Sequence, residues 1–453
     1  MRLPTSFRAL ATILAFASLA VAGEVAPPIA PAEAATQGAG PGITAALQER
    51  REWSFADPAP AVTIDNRFSG ARVNGCTQVG PHDYRILITP ENEPINPSPW
   101  YAFRVRAAAP TEVTIRIAIA TARSRPRARL SEDGVHWKRA SDDQWTGGEG
   151  AKECVLKMTV GPKPTWVASN HMIGMEQLWA WTDEIAKRPG AKTSVIGRSA
   201  AGRPLKMVEF DQGAPANYLI VIGRQHPPEV AGSVGLMRFM ERVLGDDELA
   251  RRFRGKFRVA MVPLVNPDGV HEGQWRSTLG AVDNNRDWHD FSQPESRAVR
   301  DAIVEISKRQ DARIFLLLDF HATSKDIFYL PPDDAKTFPP NFARRWVEAI
   351  QKRFPDYEVE SNGMHNADQW TFKRWAYETT GAPGITYELG SGTAHELVRR
   401  IATGAADEAM RLMLESADAP RSDGPFPPKP GVDYQPRAPK PAKGKPEPVG
   451  AGG

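Results

Sequence analysis

Four predominantly apolar runs stand out along the chain: Tyr218–Ile222 (YLIVI), Phe257–Val265 (FRVAMVPLV), Ile314–Phe320 (IFLLLDF) and Ile385–Leu389 (ITYEL). Runs of this kind read as strands buried on both faces. Between them, Met175–Ala186, Val230–Leu244 and Ser296–Ser307 carry apolar residues at helical spacing. Alternation of strand and helix beyond Pro162–Pro164 predicts an α/β domain, three layers α/β/α around a mixed sheet. Upstream the pattern is different. Val62–Ile64, Tyr84–Ile88, Trp100–Val105 and Glu112–Ile119 are short strands separated by Pro- and Asn-containing turns. Almost no helical stretch interrupts them, so an antiparallel β-sandwich of roughly 100 residues is expected. Trp137 and Trp145 are expected in or near its core.

The two ends of the chain change the picture of where it works. Arg2 and Arg8 precede the apolar run Ala9–Ala22, which closes on Ala20-Val21-Ala22, a small-residue cleavage pattern. This reads as a signal peptide over residues 1–22, and the run is short for a bilayer span of ~20 residues. No other stretch is long and apolar enough to cross a membrane, so a periplasmic or secreted protein with no integral segment after cleavage is expected. Removing both arginines lowers the formal charge from +3 to +1, and no basic stripe favours nucleic acid. Residues 23–52, rich in Ala, Pro and Gly, read as a flexible leader, and residues 421–453, with nine prolines and six Lys or Arg, as a disordered tail. The expected domains lie between, the sandwich over 53–161 and the α/β domain over 162–420. Cys76 and Cys154 are the two cysteines. Export permits a disulfide between them; the alternative is two buried thiols.

The candidate chemistry gathers at the strand ends, where ligands bind in open α/β sheets. After the first run Gly223 breaks the strand, and His226 and Glu229 follow with Pro227 and Pro228 between them. The prolines fix φ and so leave the two side chains little freedom to lose on binding. A neutral imidazole and a carboxylate suit zinc, whose catalytic sites commonly use two His and one Glu. The third run leads straight into His321, which would complete that set. The second ends in the turn signal Asn266-Pro267-Asp268-Gly269 and leads on to Arg276, then Asn285-Arg286. The fourth carries Glu388 near its end. Each residue alone is explained by a surface charge or a capped turn; their succession on four strand ends is not.

In this order, His226-x-x-Glu229, Asn266–Gly269, Arg276, Asn285-Arg286, His321 and Glu388 resemble the zinc carboxypeptidases. Ile196–Ser199 and Gly202–Leu205 are similar to that family's opening segment. The resemblance covers about residues 165–415, and six motifs in one order are specific where one is weak. The sandwich, with Val62–Phe68, Trp100–Val105 and Asp133–Trp137, resembles the N-terminal domain of the cytosolic carboxypeptidase subgroup. The surroundings of Arg276 (WRSTLGAVDNNRDW, Trp275–Trp288) are also closer to that subgroup than to the digestive enzymes. The resemblance implies one zinc per chain bound by His226, Glu229 and His321, with Glu388 as general base. It implies that Arg276 steadies the carbonyl oxygen while Asn285 and Arg286 hold the terminal carboxylate of a peptide substrate.

The family's substrate-closing tyrosine, about 20 residues before the catalytic glutamate, has no counterpart in Asn362–Asp368, and Tyr377 lies too close to Glu388 for that role. About 15 positions before Glu388, where the family sets its side-chain pocket, stand Lys373 and Arg374. A cation such as Lys373 there would favour a C-terminal Glu or Asp; the alternative is two ordinary surface charges. Two other functions compete. One is a zinc amidase acting on peptidoglycan stem peptides or acylated amino acids. The other is a secreted binding protein without chemistry, which has no need of Glu388.

Overall fold

The structure is a computed structural model, and it describes residues 42–419 except 94, 97, 121–126 and 149–150. The expected signal peptide, most of the leader and the Pro-rich tail lie outside the described residues. The described end of the leader is built into the fold, because Glu52 opens the first strand of the sandwich and Gln48 and Arg50 donate to the carbonyls of Glu272 and His271. Among those described, no helix is long and apolar enough to cross a membrane.

All four apolar runs are strands, and they are the four adjacent central strands of one eight-stranded mixed sheet. Its order is Ala191–Arg198, Pro204–Phe210, Arg258–Val262, Asn217–Gly223, Arg313–Thr323, Gly384–Gly390, Ile327–Tyr329 and Glu360–Asn362. The central four run parallel, so their carboxyl ends share one edge. Side chains alternate between the faces. Leu219 and Val221 lie in one core, against the helix Val230–Val243 and together with Phe342–Arg353 and His395–Ser416, while Tyr218, Ile220 and Ile222 lie in the opposite core, shared with Pro294–Ser307 and Phe372–Thr380. Each fully buried aliphatic side chain contributes about 1.5–3 kcal/mol, which is why this sheet tolerates almost no polar residue before its edge.

Upstream lies a β-sandwich. One sheet has six strands, Glu52–Phe55, Val62–Asp65, Ala102–Ala107, Thr165–Ala168, Arg129–Ser131 and Lys138–Arg139 in that order; the other has five, Gly75–Gly80, Asp83–Ile88, Thr111–Ile119, Glu153–Val160 and Trp145–Thr146. Three details differ from expectation. The sandwich is not wholly antiparallel, because Asp83–Ile88 pairs parallel with Thr111–Ile119. Its hydrogen bonding runs past Pro162–Pro164, since Thr165–Ala168 pairs with Ala102–Ala107. The prolines mark a turn inside the domain. The disulfide is also excluded by register. Cys76 stands opposite Ile86, Ile86 opposite Ile117, and Ile117 opposite Cys154. Three interstrand steps of ~4.8 Å put the two cysteines about 14 Å apart, twice a disulfide's reach. Both are buried, and burial pushes the Cys76 thiol up to about 12. Trp145 is buried in this core and Trp137 packs against it, as expected.

Candidate active site

The site starts where Asn217–Gly223 ends. Arg224 takes a left-handed conformation (φ 57°) and is buried; its Nε donates to the Pro227 carbonyl (2.8 Å) and its Nη1 to Ser233 Oγ (2.9 Å). This arginine therefore ties the loop to the first turn of the helix Val230–Val243, and the two prolines stiffen what lies between. Gly232 then lets the helix lie directly on the neighbouring strand: a Cβ there would stand 2.7 Å from the His321 carbonyl oxygen. The close approach brings Glu229, on the loop, to His321, on the strand.

His226, Glu229 and His321 are brought together and are 3%, 5% and 1% exposed. His226 Nδ1 lies 2.8 Å from Glu229 Oε1, His321 Nδ1 lies 2.7 Å from Glu229 Oε2, and the two Nδ1 atoms are 3.2 Å apart. Each imidazole is held from behind by a carboxylate: His226 Nε2 lies 2.9 Å from Asp283 Oδ1, His321 Nε2 2.7 Å from Asp319 Oδ2. Such a partner places the proton on Nε2 and leaves the Nδ1 lone pair directed inward. Two lone pairs and a carboxylate then converge on one buried point with no donor among them. This is the donor set of a cation site. Ligand atoms on a tetrahedral zinc with bonds of ~2.0–2.1 Å stand about 3.3 Å apart, so the 3.2 Å between the Nδ1 atoms fits zinc.

Glu388 is placed by strand register. It stands directly opposite His321 on the adjacent parallel strand, and its Oε2 has no hydrogen-bond partner among the described residues. Burial, then the charge of Glu229, pushes its carboxyl up to about 8. Arg276 is 8% exposed, and its Nε donates to Asp283 Oδ2 (2.6 Å); burial opposes its charge, but Asp283 and Glu229 keep the guanidinium firmly protonated. Arg286 makes no ion pair among the described residues and donates only to the Asn285 carbonyl at 2.8 Å. Asn285 is more tightly engaged: Oδ1 accepts from Phe372 N (2.9 Å) and Nδ2 lies 3.3 Å from His321 Nε2. His321 Nε2 keeps its proton for Asp319 and accepts nothing from Nδ2, so the amide N–H of Asn285 is left for a ligand.

His226, Glu229, Arg276, Asn285, Arg286 and Glu388 line one cleft of about 640 Å³. Lys373 reaches it and Arg374 does not. Lys373 Nζ donates to the carbonyls of Leu330 (2.9 Å) and His365 (3.0 Å), and burial lowers its amine to about 8. Arg374 pairs with Glu378 (2.7 Å) and lies over Trp370, an ordinary surface charge. In the Asn362–Asp368 segment, His365 lines the cleft, its ring stacked on Tyr329 at 3.8 Å.

Several functional residues were not read from the sequence. Asp283 and Asp319 orient the two imidazoles, and Gln225 holds Asp319 through Nε2 (2.6 Å). The D-x-H spacing of Asp319 and His321 was a usable signal; Asp283, far from His226 in sequence, gave none. Asn266–Gly269 is more than a turn: Asn266 Oδ1 accepts from Gly269 N and caps the helix Pro267–Glu272. Asn96 and Ser98, from the sandwich, also line the cleft.

Residues 178–401 match the family model of the zinc carboxypeptidases. Among curated proteins, the chain is similar to cytosolic carboxypeptidase 6 of Caenorhabditis elegans (26% identical, 34% of this chain and 35% of the relative). It is also similar to cytosolic carboxypeptidase 3 of Mus musculus (31% identical, 28% of this chain and 12% of the relative). The chain spans well under two thirds of the length of these relatives. Among solved structures, it is similar to a metallo-carboxypeptidase from Burkholderia cenocepacia, with a TM-score of 0.63 at 21% identity over 78% of this chain and 98% of the other. A metallo-carboxypeptidase from Pseudomonas aeruginosa, solved in complex with (2-guanidinoethylmercapto)succinic acid, gives 0.62 at 19% identity over 78% and 99%. These structures share the fold, the sandwich included.

Proposed function

We propose that this chain, whose residues 178–401 belong to the zinc carboxypeptidase family, is an exported carboxypeptidase that holds one zinc and removes C-terminal residues from peptides. The observation that carries the reading is the placement of Glu388. A carboxylate whose Oε2 has no partner among the described residues stands beside the His-Glu-His cluster, at the head of a cleft that also holds two guanidinium groups.

Zinc bound by His226, Glu229 and His321 would supply a Lewis acid that acidifies water and polarises a carbonyl. Glu388 takes the proton of the attacking water and passes it to the departing amine, work worth about 10²–10⁴ in rate. Arg276, held by Asp283, faces the oxygen on which charge develops; one preorganised donor of this kind is worth roughly 3–4 kcal/mol. Arg286, with no ion pair among the described residues, pairs in fork geometry with the substrate's terminal carboxylate, and the free N–H of Asn285 assists. That pairing restricts cleavage to the chain end.

The cleft also carries Lys373, whose amine has no carboxylate partner among the described residues. Together with Arg286 it suits a C-terminal residue bearing two carboxylates, Glu or Asp.

The test is a panel of peptides differing only in the C-terminal residue, with zinc content measured alongside. Wild type is expected to release C-terminal residues, fastest for Glu and Asp. Glu388→Gln is expected to keep its zinc and lose about 10²–10⁴ in kcat. Lys373→Met is expected to lose about tenfold or more of the preference for Glu over Leu, as removal of a charge-assisted hydrogen bond implies. Zinc bound with no peptide cut, and murein stem peptides cut instead, would replace this reading with the amidase one. A chain that binds no zinc would end both.

A further inference from the structure

We infer that the β-sandwich is part of the catalytic machinery, because its Glu91 is a positioning residue for Arg276. The inference rests on the reading of Arg276 given above and concerns how that residue is held.

Arg276 sits just beyond the helix Pro267–Glu272, where the α/β domain holds the backbone at Gln274, whose N donates to the Gly269 carbonyl (2.9 Å), and at Ser277, whose carbonyl accepts from Asn266 Nδ2 (3.0 Å), but makes no backbone bond to Arg276 N among the described residues. The sandwich side holds the segment 271–277 almost residue by residue. Gly70 N donates to the His271 carbonyl (2.7 Å), Arg50 Nη2 to the same carbonyl (2.8 Å) and Gln48 Nε2 to that of Glu272 (2.8 Å). Gly273 is left-handed (φ 63°), and a Cβ there would stand 2.6 Å from the Ala71 carbonyl oxygen, so the two backbones touch. Trp275 turns its ring into the sandwich core, fully buried, and its Nε1 donates to the Trp100 carbonyl (3.1 Å).

The Glu91 carboxylate completes the clamp. It is 1% exposed, and both its oxygens serve backbone amides of this segment. Oε2 accepts from Trp275 N (2.8 Å), and Oε1 accepts from Arg276 N (2.9 Å) and Ser277 N (2.8 Å). Three consecutive amides pointing at one anion form an anion-binding concavity of the kind proteins use for phosphate, filled here by an internal side chain. A buried carboxylate is costly unless hydrogen bonds satisfy it, and satisfied ones are geometrically strict; here the charge of the buried Arg72 guanidinium also favours the anion, but the three amides fix its position. The Cα of Arg276 is thereby fixed from the sandwich side while Asp283 fixes its Nε from the catalytic side. A shift of about 1 Å in such a group is enough to lose most of its effect.

The experiment compares the full-length zinc-loaded wild type, Glu91→Gln, Arg276→Ala and the double variant on one peptide. Glu91→Gln keeps the side chain's length but sets an amide NH₂ against at least one backbone N–H. It is expected to lower kcat about tenfold or more, to change KM less than about threefold, and to leave zinc content at the wild-type level. In the Arg276→Ala background the same change is expected to cost less than about twofold, since the residue it positions is gone. Glu91→Asp, too short to span the three amides, is expected to behave like Glu91→Gln and serves as the second variant if that one folds poorly. Equal losses with and without Arg276 would overturn the clamp alone and leave Glu91 a structural residue. An Arg276→Ala variant as active as wild type would overturn the reading of Arg276 and the clamp with it.

Discussion

Glu295 offers a stability measurement whose sign and size follow from the structure. It lies in the first turn of the helix Pro294–Ser307, fully buried, under the Ser199–Arg203 loop. Its Oε1 accepts from Ala200 N (3.2 Å), and its Oε2 has no partner among the described residues. The helix dipole favours an anion there by about 0.3–1 kcal/mol. Burial outweighs it, and the charge of Asp268, itself held by Ser199, Ala201 and Arg203, adds to the penalty. The carboxyl is pushed from 4.5 up to about 7. At 1.36 kcal/mol per pKa unit, ionising Glu295 in the fold costs about 3 kcal/mol more than in the unfolded chain. The folded state binds the extra proton, so stability is fully present below pH 4.5, falls as pH rises through about 7, and is level above that. Glu295→Gln keeps the acceptor for Ala200 and removes the ionisation. In denaturant unfolding of the zinc-loaded proteins, the variant should be the more stable by less than about 1 kcal/mol at pH 5. At pH 8.5 the variant should be the more stable by up to about 3 kcal/mol. The comparison cancels every titrating group that does not feel the Glu295 charge, which leaves the neighbouring Asp268 as the coupled group. A difference that is the same at both pH values would refute the argument.

Two further expectations rest on different parts of the molecule. Asp319→Asn removes the charge that fixes the His321 tautomer, so zinc affinity measured by chelator competition should fall about 10–100-fold; an unchanged dissociation constant would show that Asp319 is not needed there. Protein purified without reductant should show no thiol reactive towards an aromatic disulfide reagent while native and two after unfolding, because Cys76 and Cys154 are both buried and beyond bonding distance; a loss of both thiols in the unfolded chain would contradict the sandwich register.

What the sequence made legible was local. A strand buried on both faces needs a predominantly apolar run, and all four such runs are the parallel centre of the sheet. The helices Val230–Val243 and Pro294–Ser307 were legible for the same reason, a wide apolar stripe. Phe342–Arg353 was not read as a helix: its stripe is only Phe342, Trp346 and Ile350, and polar residues dominate the window. His395–Ser416, the longest helix described, begins at Ala394 without a capping side chain, so nothing marks its start. The sandwich was legible as a class, but the parallel pairing of Asp83–Ile88 with Thr111–Ile119 was not, because a strand's alternation is the same whichever way its neighbour runs.

The site divides along the same line. His226, Glu229, His321 and Glu388 sit at strand ends, where a break in an apolar run announces them. The residues that make them work are defined by partners far away in the chain. Asp283 acts on His226 across 57 positions, Gln225 on Asp319 across 94, and Glu91 on the backbone beside Arg276 across 185. None of these bonds leaves a periodic trace, since a carboxylate that accepts from a distant imidazole or amide looks in sequence like any surface acid. Glu91 is the extreme case: it lies in a Pro- and Asn-rich turn of the sandwich, the composition of a solvated loop. Its burial follows only from three amides that the catalytic domain presents to it. A domain whose carboxylate closes the backbone beside Arg276, and whose Asn96 and Ser98 line the cleft, is a wall of the active site. Its removal should therefore abolish peptide cleavage even where the zinc ligands are untouched.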